Sequence, residues 1–165
     1  MPLTNQRKPS SKPRARKAQR DITYRFAARD EKDEVRELLS ECGLPTRYVH
    51  RHLKSFLVAK AGEKTVGVIG VELYGRVGLL RSLCVDPDFR DRGIALALNE
   101  KMLDDARAQK IDRLYLFTLR AEKFAAKLGF RKLEKSRIPR SIRATWQYRS
   151  FRPYPVVCMV KEISR

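Results

Sequence analysis

The stretch Leu-Cys-Val-Asp-Pro-Asp-Phe-Arg-Asp-Arg-Gly-Ile-Ala, residues 83–95, decides how the rest of the chain is interpreted. Its apolar start is typical of a strand that ends at Pro87, and apolar residues at helical spacing begin at Ile94. Gly93 lets the backbone approach a ligand because it has no Cβ. The first turn of the following helix has unpaired N–H groups and the positive end of the helix dipole. The stretch therefore predicts an anion-binding loop between a strand and a helix.

Apolar periodicity on both sides of this loop predicts a single α/β domain. Predicted strands lie at about Ile22–Phe26, Phe56–Lys60, Thr65–Tyr74, Gly78–Val85, Leu114–Thr118 and Val156–Lys161. Predicted helices lie at about Glu31–Glu41, Thr46–Leu53, Gly93–Gln109 and Ala121–Leu128. The order β-α-α-β-β-β-α-β-α-β-β predicts a mixed, mostly antiparallel sheet of about six or seven strands with helices on both faces. The long helix after the third apolar run implies one parallel strand pair with a right-handed crossover.

The net charge of +18 over 165 residues is unevenly distributed. Residues 1–20 contain seven Lys and Arg residues, three prolines and no acidic residue. Such a segment cannot offset its ordering entropy by burial. We therefore expect residues 1–20 to form a basic disordered tail and residues 21–165 to form the folded domain. The excess of positive charge favours polyanion partners, and nucleic acid is one candidate through non-specific contacts with the tail.

The cysteine, histidine and hydropathy patterns exclude several classes of function. Cys42, Cys84 and Cys158 are odd in number and have no C-x-x-C spacing, which favours reduced thiols and no metal site. His50 and His52 would point to different sides of a helix, so we interpret both as surface residues. No stretch approaches the roughly 18 apolar residues of a membrane span, and the start lacks the apolar region of a secretory signal. We expect a cytoplasmic protein without membrane contact.

Two motifs carry a family resemblance. Leu-Cys-Val-Asp-Pro at 83–87, followed by Arg90-x-x-Gly93-x-Ala95, resembles the central acetyl-CoA motif of GNAT acetyltransferases. Ala-x-x-Phe-x-x-Lys-Leu-Gly-Phe at 121–130 resembles a later helix of the same superfamily. The resemblance covers about residues 21–163 and implies the GNAT acyl-CoA N-acyltransferase fold. It also implies acetyl-CoA as co-substrate, whose phosphates suit a basic protein, and a small-molecule amine as acceptor.

Four shorter stretches resemble one branch of that superfamily, the arsenic-resistance N-acetyltransferases of bacterial arsenic operons. They are Gly43-Leu44-Pro45-Thr46, Glu72-x-Tyr74-Gly75, Leu79-Leu80-Arg81-Ser82-Leu83 and Ile142-Arg143-Ala144-Thr145. This narrower resemblance implies that the acceptor is an amino-acid-like or arsenical amine.

The superfamily resemblance also implies where the cofactor binds. In GNAT enzymes two adjacent strands splay apart and the pantetheine arm adds between them, which here implies Gly78–Val85 and Leu114–Thr118. Main-chain groups of the first strand would hold the thioester, and N–H groups of the loop would hold the pyrophosphate. The implied cofactor-binding residues are Leu83, Cys84, Val85, Arg90, Asp91, Arg92, Gly93, Ile94 and Ala95.

The acceptor amine must lose a proton before it attacks. Deprotonating a lysine-like amine at pH 7 costs about 4.6 kcal/mol, whereas an α-amine costs only about 1–1.4 kcal/mol. Glu72, on a strand beside the implied cleft, is the candidate catalytic base and would act through water. A surface glutamate on an alternating strand is the alternative interpretation. Tyr74 shares its strand face and is the second candidate catalytic residue, which would shape the acceptor pocket.

One position departs from the superfamily. Many GNAT enzymes have a tyrosine four residues before the glycine of the later helix, where it donates a proton to the leaving thiolate. This chain has Ala125 at that position. Tyr115, Thr118 and Tyr148 are candidate substitutes, and unassisted departure of the thiolate is the alternative.

Residues 135–155 are rich in basic and aromatic side chains. Arg143 is the candidate substrate-binding residue in this segment, because a guanidinium can hold a carboxylate with two parallel hydrogen bonds. The alternative is an irregular basic loop that is packed by its own aromatic residues.

Three functions fit the sequence. The first is a small-molecule N-acetyltransferase that works by direct transfer. The second is a protein lysine or N-terminal acetyltransferase whose basic tail docks acidic partners, and the third is a catalytically weak GNAT fold that binds nucleic acid. The intact loop favours the first two, whereas Ala125 favours the third. A monomer and a homodimer fit equally well.

Overall fold

The structure is a computed structural model that describes residues 21–163. The predicted disordered tail, residues 1–20, lies outside the described residues. The strands are β1 (Ile22–Phe26), β2 (Phe56–Ala61), β3 (Lys64–Tyr74), β4 (Val77–Val85), β5 (Arg113–Thr118), β6 (Arg131–Lys132) and β7 (Val157–Glu162). The helices are α1 (Lys32–Glu41), α2 (Val49–His52), α3 (Ile94–Ala108), α4 (Glu122–Lys127), α5 (Arg140–Arg143) and α6 (Trp146–Phe151).

The seven strands form one sheet in the order β1-β2-β3-β4-β5-β7-β6. Strands β1 to β4 pair as an antiparallel meander, and β5, β7 and β6 also pair antiparallel. The pair β4–β5 is parallel, with α3 as the crossover between its strands. The meander turns at Gly62 and Gly75, which have φ values of +61° and +63° that glycine adopts without strain. The predicted mixed, mostly antiparallel sheet is confirmed.

Helices pack on both faces of the sheet through apolar side chains, as predicted. On one face, α3 and α4 contribute Ile94, Leu98, Met102 and Ala125 to the largest buried cluster. On the other face, α1 and α2 pack Val35, Leu39 and Val49 against β2 and β3. The sheet is therefore the middle layer between two groups of helices.

The predicted second helix is shorter than expected. It was predicted from about Thr46, and α2 begins at Val49 because Tyr48 has a left-handed backbone with φ of 62°. The chain changes direction at this point, so residues 46–48 do not extend the helix.

The segment 135–155 is more regular than the basic loop that the sequence allowed. It contains α5 and α6, and the Thr145 hydroxyl caps α6 by accepting from the Tyr148 N–H at 3.3 Å. Ile138 and Ile142 anchor the segment in a buried cluster with Leu79 of β4. Periodicity could not predict these helices because each is only one to two turns long. Within the described residues, no helix combines the length and apolar character that crossing a membrane requires.

Candidate functional site

Strands β4 and β5 are paired at one end and separate from each other at the other end. Their parallel pairing covers only Val77–Leu79 and Arg113–Tyr115. Beyond it, the register between β3 and β4 shifts and Ser82 has φ of 62°, so β4 carries a bulge that bends it. We call the space between the open halves the main cleft; its volume is about 700 Å³. Its lining comprises Leu80–Val85, Phe89–Asp91, Gly93–Leu96, Leu116–Thr118, Cys42, Leu44, Ala121, Phe124, Ala125 and Leu128.

The N-terminus of α3 closes one end of the main cleft. Gly93 precedes the helix with φ of +77°, and a Cβ built there meets no atom within 4 Å. The helical ladder starts with the bond from the Ala97 N–H to the Gly93 carbonyl at 3.0 Å, so the N–H groups of residues 94–96 precede it. Three backbone donors and the helix dipole therefore meet at an open, glycine-lined surface, which suits a phosphate group.

The two arginines of this loop lie differently. The Arg90 side chain folds back along β4 and donates from Nε to the Val85 carbonyl at 3.1 Å. The Arg92 guanidinium stacks on the Phe89 ring at 5.1 Å, and Arg92 is not among the residues that line the main cleft. Asp91 lines the cleft in a left-handed conformation with φ of 60°. Backbone N–H groups thus supply the donors nearest to the cleft.

The floor of the main cleft is apolar. Leu83, Cys84 and Val85 all line it, as the sequence predicted. Burial raises the pKa of the Cys84 thiol, so this side chain stays neutral and serves as an apolar surface. Ala125 is buried in the same wall and brings no hydroxyl group to it.

The three substitutes predicted for the missing tyrosine lie in different places. Thr118 lines the main cleft, and its Oγ1 accepts from the Ala121 N–H at 2.8 Å, which leaves its own hydroxyl proton to donate. Tyr115 is buried beneath the opposite face of the sheet. Tyr148 packs against Phe117 with the ring centroids 5.9 Å apart. Of the three, Thr118 is the one in the cleft lining.

Glu72 and Tyr74 meet in a buried polar cluster beside the cleft. The Tyr74 hydroxyl donates to Glu72 Oε2, and Arg81 Nη1 donates to Glu72 Oε1 at 2.7 Å. Glu72 and Arg81 are both buried, and Arg81 also lines the main cleft. Burial and the bond to Glu72 raise the pKa of the Tyr74 phenol, so it remains a hydrogen-bond donor at neutral pH.

Arg81 links this cluster to the segment before α2. Its Nη2 donates to the Arg47 carbonyl at 3.0 Å and to the Pro45 carbonyl at 3.4 Å. The Arg47 guanidinium in turn lies 5.5 Å from the centre of the Trp146 ring. Segments 43–48 and 146–151, which are remote in sequence, therefore meet over the same face of the sheet.

His52 belongs to this cluster, although the sequence interpretation placed it on the surface. Its Nε2 lies 3.8 Å from Glu72 Oε1, and 28% of its side chain is exposed. Burial lowers the pKa of His52, and the negative charge of Glu72 opposes that shift. The spacing of the two histidines gave no signal of this contact, because it depends on how α2 docks on β3.

A second pocket of about 300 Å³ lies on the face opposite to α3. Its lining residues are Phe117, Lys135, Ile138, Tyr148, Phe151, Arg152, Tyr154, Val156 and Cys158. Phe117 also lines the main cleft, so the two spaces share this residue. Arg143, the predicted carboxylate-binding residue, is exposed at the end of α5 and lines neither space.

No metal site is evident in residues 21–163, where no three His, Cys, Asp or Glu side chains are grouped to hold an ion.

Comparison with known proteins gives a match to a family and similarity to a curated relative. The model of the acetyltransferase (GNAT) family matches residues 16–130. An uncharacterized N-acetyltransferase of Chlorobaculum tepidum is 27% identical over 92 residues, which cover 55% of this chain and 59% of the relative. The chain thus spans less than two thirds of this relative's length.

Solved structures share the fold. N-acetylglutamate synthase from Neisseria gonorrhoeae, complexed with coenzyme A and N-acetyl-glutamate, has a TM-score of 0.77 at 22% identity, over 87% of this chain and 35% of that one. A Mycobacterium tuberculosis protein in complex with CoA has a TM-score of 0.73 at 17% identity, over 86% of this chain and 99% of that one. Because the family model covers more than half of the sequence, the chain belongs to the acetyltransferase (GNAT) family, and the fold predicted from its central motif is confirmed.

Proposed function

We propose that the protein is an N-acetyltransferase that moves the acetyl group of acetyl-CoA directly to the amine of a small, amino-acid-like acceptor. The observation that carries this proposal is the main cleft, which combines splayed strands with the open N-terminus of a 15-residue helix. An apolar slot with anion donors at one end matches the chemistry of pantetheine joined to a pyrophosphate.

In this proposal the cofactor adds between β4 and β5. The N–H groups of residues 94–96 bind the pyrophosphate, and Leu83 and Val85 flank the pantetheine. A backbone N–H of Cys84 or Val85 polarises the thioester carbonyl and stabilises the oxyanion that forms on it. Backbone donors fit this role because they need no side-chain reorganisation during the reaction.

The acceptor amine approaches from the opposite face, where the Glu72 cluster lies. The ammonium group loses one proton through water to the Glu72 carboxylate, whose position is fixed by Tyr74 and Arg81. His52, the partly exposed member of the cluster, connects the buried carboxylate to solvent. The neutral nitrogen then attacks the thioester carbon, which forms the C–N bond and an oxyanion. The C–S bond breaks as the oxyanion collapses, and the second proton of the nitrogen passes through the Thr118 hydroxyl to the departing CoA thiolate, so that Thr118 donates one proton and accepts another.

The acceptor class rests on separate observations. The shared fold with a synthase solved with N-acetyl-glutamate supports an amino-acid-like acceptor, and the four stretches of the arsenic-resistance resemblance extend that class to arsenical amines. Arg143, which the sequence proposes as the carboxylate-binding residue, lines neither the main cleft nor the second pocket, so this proposal assigns it no contact with the acceptor.

Release of free thiol from acetyl-CoA tests the proposed function. The purified protein is incubated with acetyl-CoA and a panel of simple amines, amino acids, arsenical amines and acidic peptides. We expect amine-dependent thiol release, with small carboxylate-bearing amines as the best acceptors. Release with peptides alone would favour a protein acetyltransferase, and no release with any amine would contradict the proposal.

A further inference from the structure

The second pocket has a gradient of exposure from its floor to its mouth. Ile138 and Cys158 form a buried apolar floor, and Phe117, Tyr148 and Phe151 are half-buried around it. Lys135, Arg152 and Tyr154 are exposed at the mouth. A ligand that matches this gradient has an apolar body inside and a negatively charged or polar end at the mouth.

Both cations at the mouth are available to a ligand. Neither Lys135 nor Arg152 forms an ion pair with another residue in the part of the chain that the structure describes. Two unpaired cations beside one small pocket favour a carboxylate, and the Arg152 guanidinium can bind it with two parallel hydrogen bonds. Arg143, by contrast, lies outside the pocket lining.

The size of the pocket limits the ligand. A volume of about 300 Å³ is at the lower end of the range for small-molecule sites. It suits a molecule of amino-acid size and is too small for a folded protein segment. The walls contributed by Phe117, Tyr148 and Phe151 favour a bulky apolar or aromatic side chain.

The pocket is next to the main cleft. Phe117 lies in the open half of β5 and lines both spaces, and Tyr148 packs on its ring. A ligand whose side chain lies on the apolar floor can therefore direct its amine toward the residue that the two spaces share.

We infer that the second pocket is the acceptor subsite and that it selects amino acids with a bulky apolar or aromatic side chain. Arg152 and Lys135 bind the carboxylate at the mouth, the floor holds the side chain, and the amine faces the main cleft past Phe117. This inference rests on the proposed function, and it assigns the carboxylate to Arg152 and Lys135 instead of Arg143.

The test compares three amines that differ by one group. L-phenylalanine has the amine, carboxylate and aromatic side chain; phenethylamine lacks only the carboxylate, and glycine lacks the side chain. Initial rates of thiol release from acetyl-CoA give kcat and KM for wild-type protein and for Arg152→Ala, Lys135→Ala, Phe151→Ala and the control Arg143→Ala. All four side chains are exposed or half-buried, and melting temperatures confirm that each variant is folded.

We expect Arg152→Ala to raise the KM for phenylalanine at least tenfold and to change that for phenethylamine less than twofold. Lys135→Ala should raise the KM for phenylalanine by a smaller factor. Phe151→Ala should raise the KM for phenylalanine but not for glycine. Arg143→Ala should leave the KM of all three amines unchanged. An effect of Arg143→Ala without an effect of Arg152→Ala would overturn the inference. The inference would also be overturned if phenethylamine or glycine were as good an acceptor as phenylalanine. Each of these results would overturn the inference about the second pocket and leave the proposed function intact. Absence of thiol release with every amine would overturn both.

Discussion

The main cleft and the second pocket lie on either side of Phe117, yet they are built from different parts of the chain. Backbone geometry sets the shape and the anion donors of the main cleft, through a bulge at Ser82, a left-handed Gly93 and the first N–H groups of α3. Side chains from β5, β7 and residues 135–154 form the second pocket. A cofactor that is the same for a whole family can be held by backbone geometry, whereas an acceptor that varies between proteins must be selected by side chains.

The Glu72 cluster depends on both backbone geometry and side-chain contacts. Its position is fixed by strand register, because Glu72 and Tyr74 are two residues apart on one face of β3. Its partners come from β4, through Arg81, and from α2, through His52. Changes at the phosphate-binding end of the cleft should therefore affect mainly cofactor binding, and changes at Glu72 should affect turnover with little effect on cofactor binding.

The largest expected effect is that of Gly93→Glu on cofactor affinity. The new side chain has room, so the loss comes from a carboxylate placed beside the phosphate donors and from a less favourable left-handed backbone. Losing about two hydrogen bonds to a charged group, about 4 kcal/mol, raises the Kd for acetyl-CoA about 1,000-fold in calorimetry.

Gly75→Glu is the matched control for this prediction. Gly75 also has a positive φ of +63° and no atom within 4 Å of a built Cβ, and it is not among the residues that line the main cleft. This variant should bind acetyl-CoA like the wild type. If both variants lost affinity equally, backbone strain and not the phosphate site would explain the result.

A smaller effect is expected for Glu72→Gln, and it should depend on pH. At pH 6.5 the amine is protonated and needs a base, so kcat falls about 100-fold; at pH 9 more of the amine is neutral and the loss shrinks to about tenfold or less. The pH profile of kcat for Glu72→Gln and wild type measures this difference. Tyr74 is a donor throughout this range because burial raises its pKa, so it adds no titration of its own.

The same variant distinguishes a base from a structural role for Glu72. Glutamine keeps an acceptor for Arg81 but leaves a buried guanidinium without its counter-charge, so some loss of stability is expected in denaturant unfolding. That loss does not vary between the two pH values in the way that amine ionisation does. An equal defect in kcat at pH 6.5 and pH 9, with unchanged acetyl-CoA affinity, would show that Glu72 positions the cluster and does not accept the proton.

A tenfold effect on kcat is expected for Thr118→Val, because it removes the hydroxyl in the cleft that we propose passes a proton to the leaving thiolate. Thr118→Ser retains that hydroxyl and its acceptor contact with the Ala121 N–H, so it should restore most of the rate. Tyr148→Phe, whose hydroxyl lies on the side of the second pocket, should leave kcat unchanged. A large loss with Tyr148→Phe instead would move the proton donor to the acceptor side.

The smallest effect on acetyl-CoA affinity is expected from removing residues 1–20. Among the described residues, the lining of the main cleft begins at Cys42, so we expect the Kd for acetyl-CoA to change less than twofold. Loss of seven cations should instead weaken retention on nucleic acid and flatten its dependence on salt concentration. Loss of cofactor binding in the truncated protein would place the tail in the site.

The contrast between the two sites explains what the sequence could predict. Residues 83–95 are contiguous, so the loop, the glycine and the start of α3 were all visible in one stretch. The antiparallel meander followed from its short turns. The same local signals could not place His52 against Glu72 or bring Trp146 to Arg47, because those contacts join segments that are 20 to about 100 residues apart. They also could not distinguish Arg143 from Arg152, since both are basic residues in an aromatic segment and only the folded structure shows that Arg152 lines the second pocket and Arg143 does not.

Amide hydrogen exchange with and without acetyl-CoA tests most directly the claim that the cofactor occupies the open half of the β4–β5 pair. We expect added protection at Leu83 and Val85 and at residues 94–96, where N–H groups meet the thioester arm and the pyrophosphate. No change is expected in the paired half, Val77–Leu79, or in α6, which lies on the acceptor side. Protection in the paired half or in α6, without protection at residues 94–96, would contradict the account.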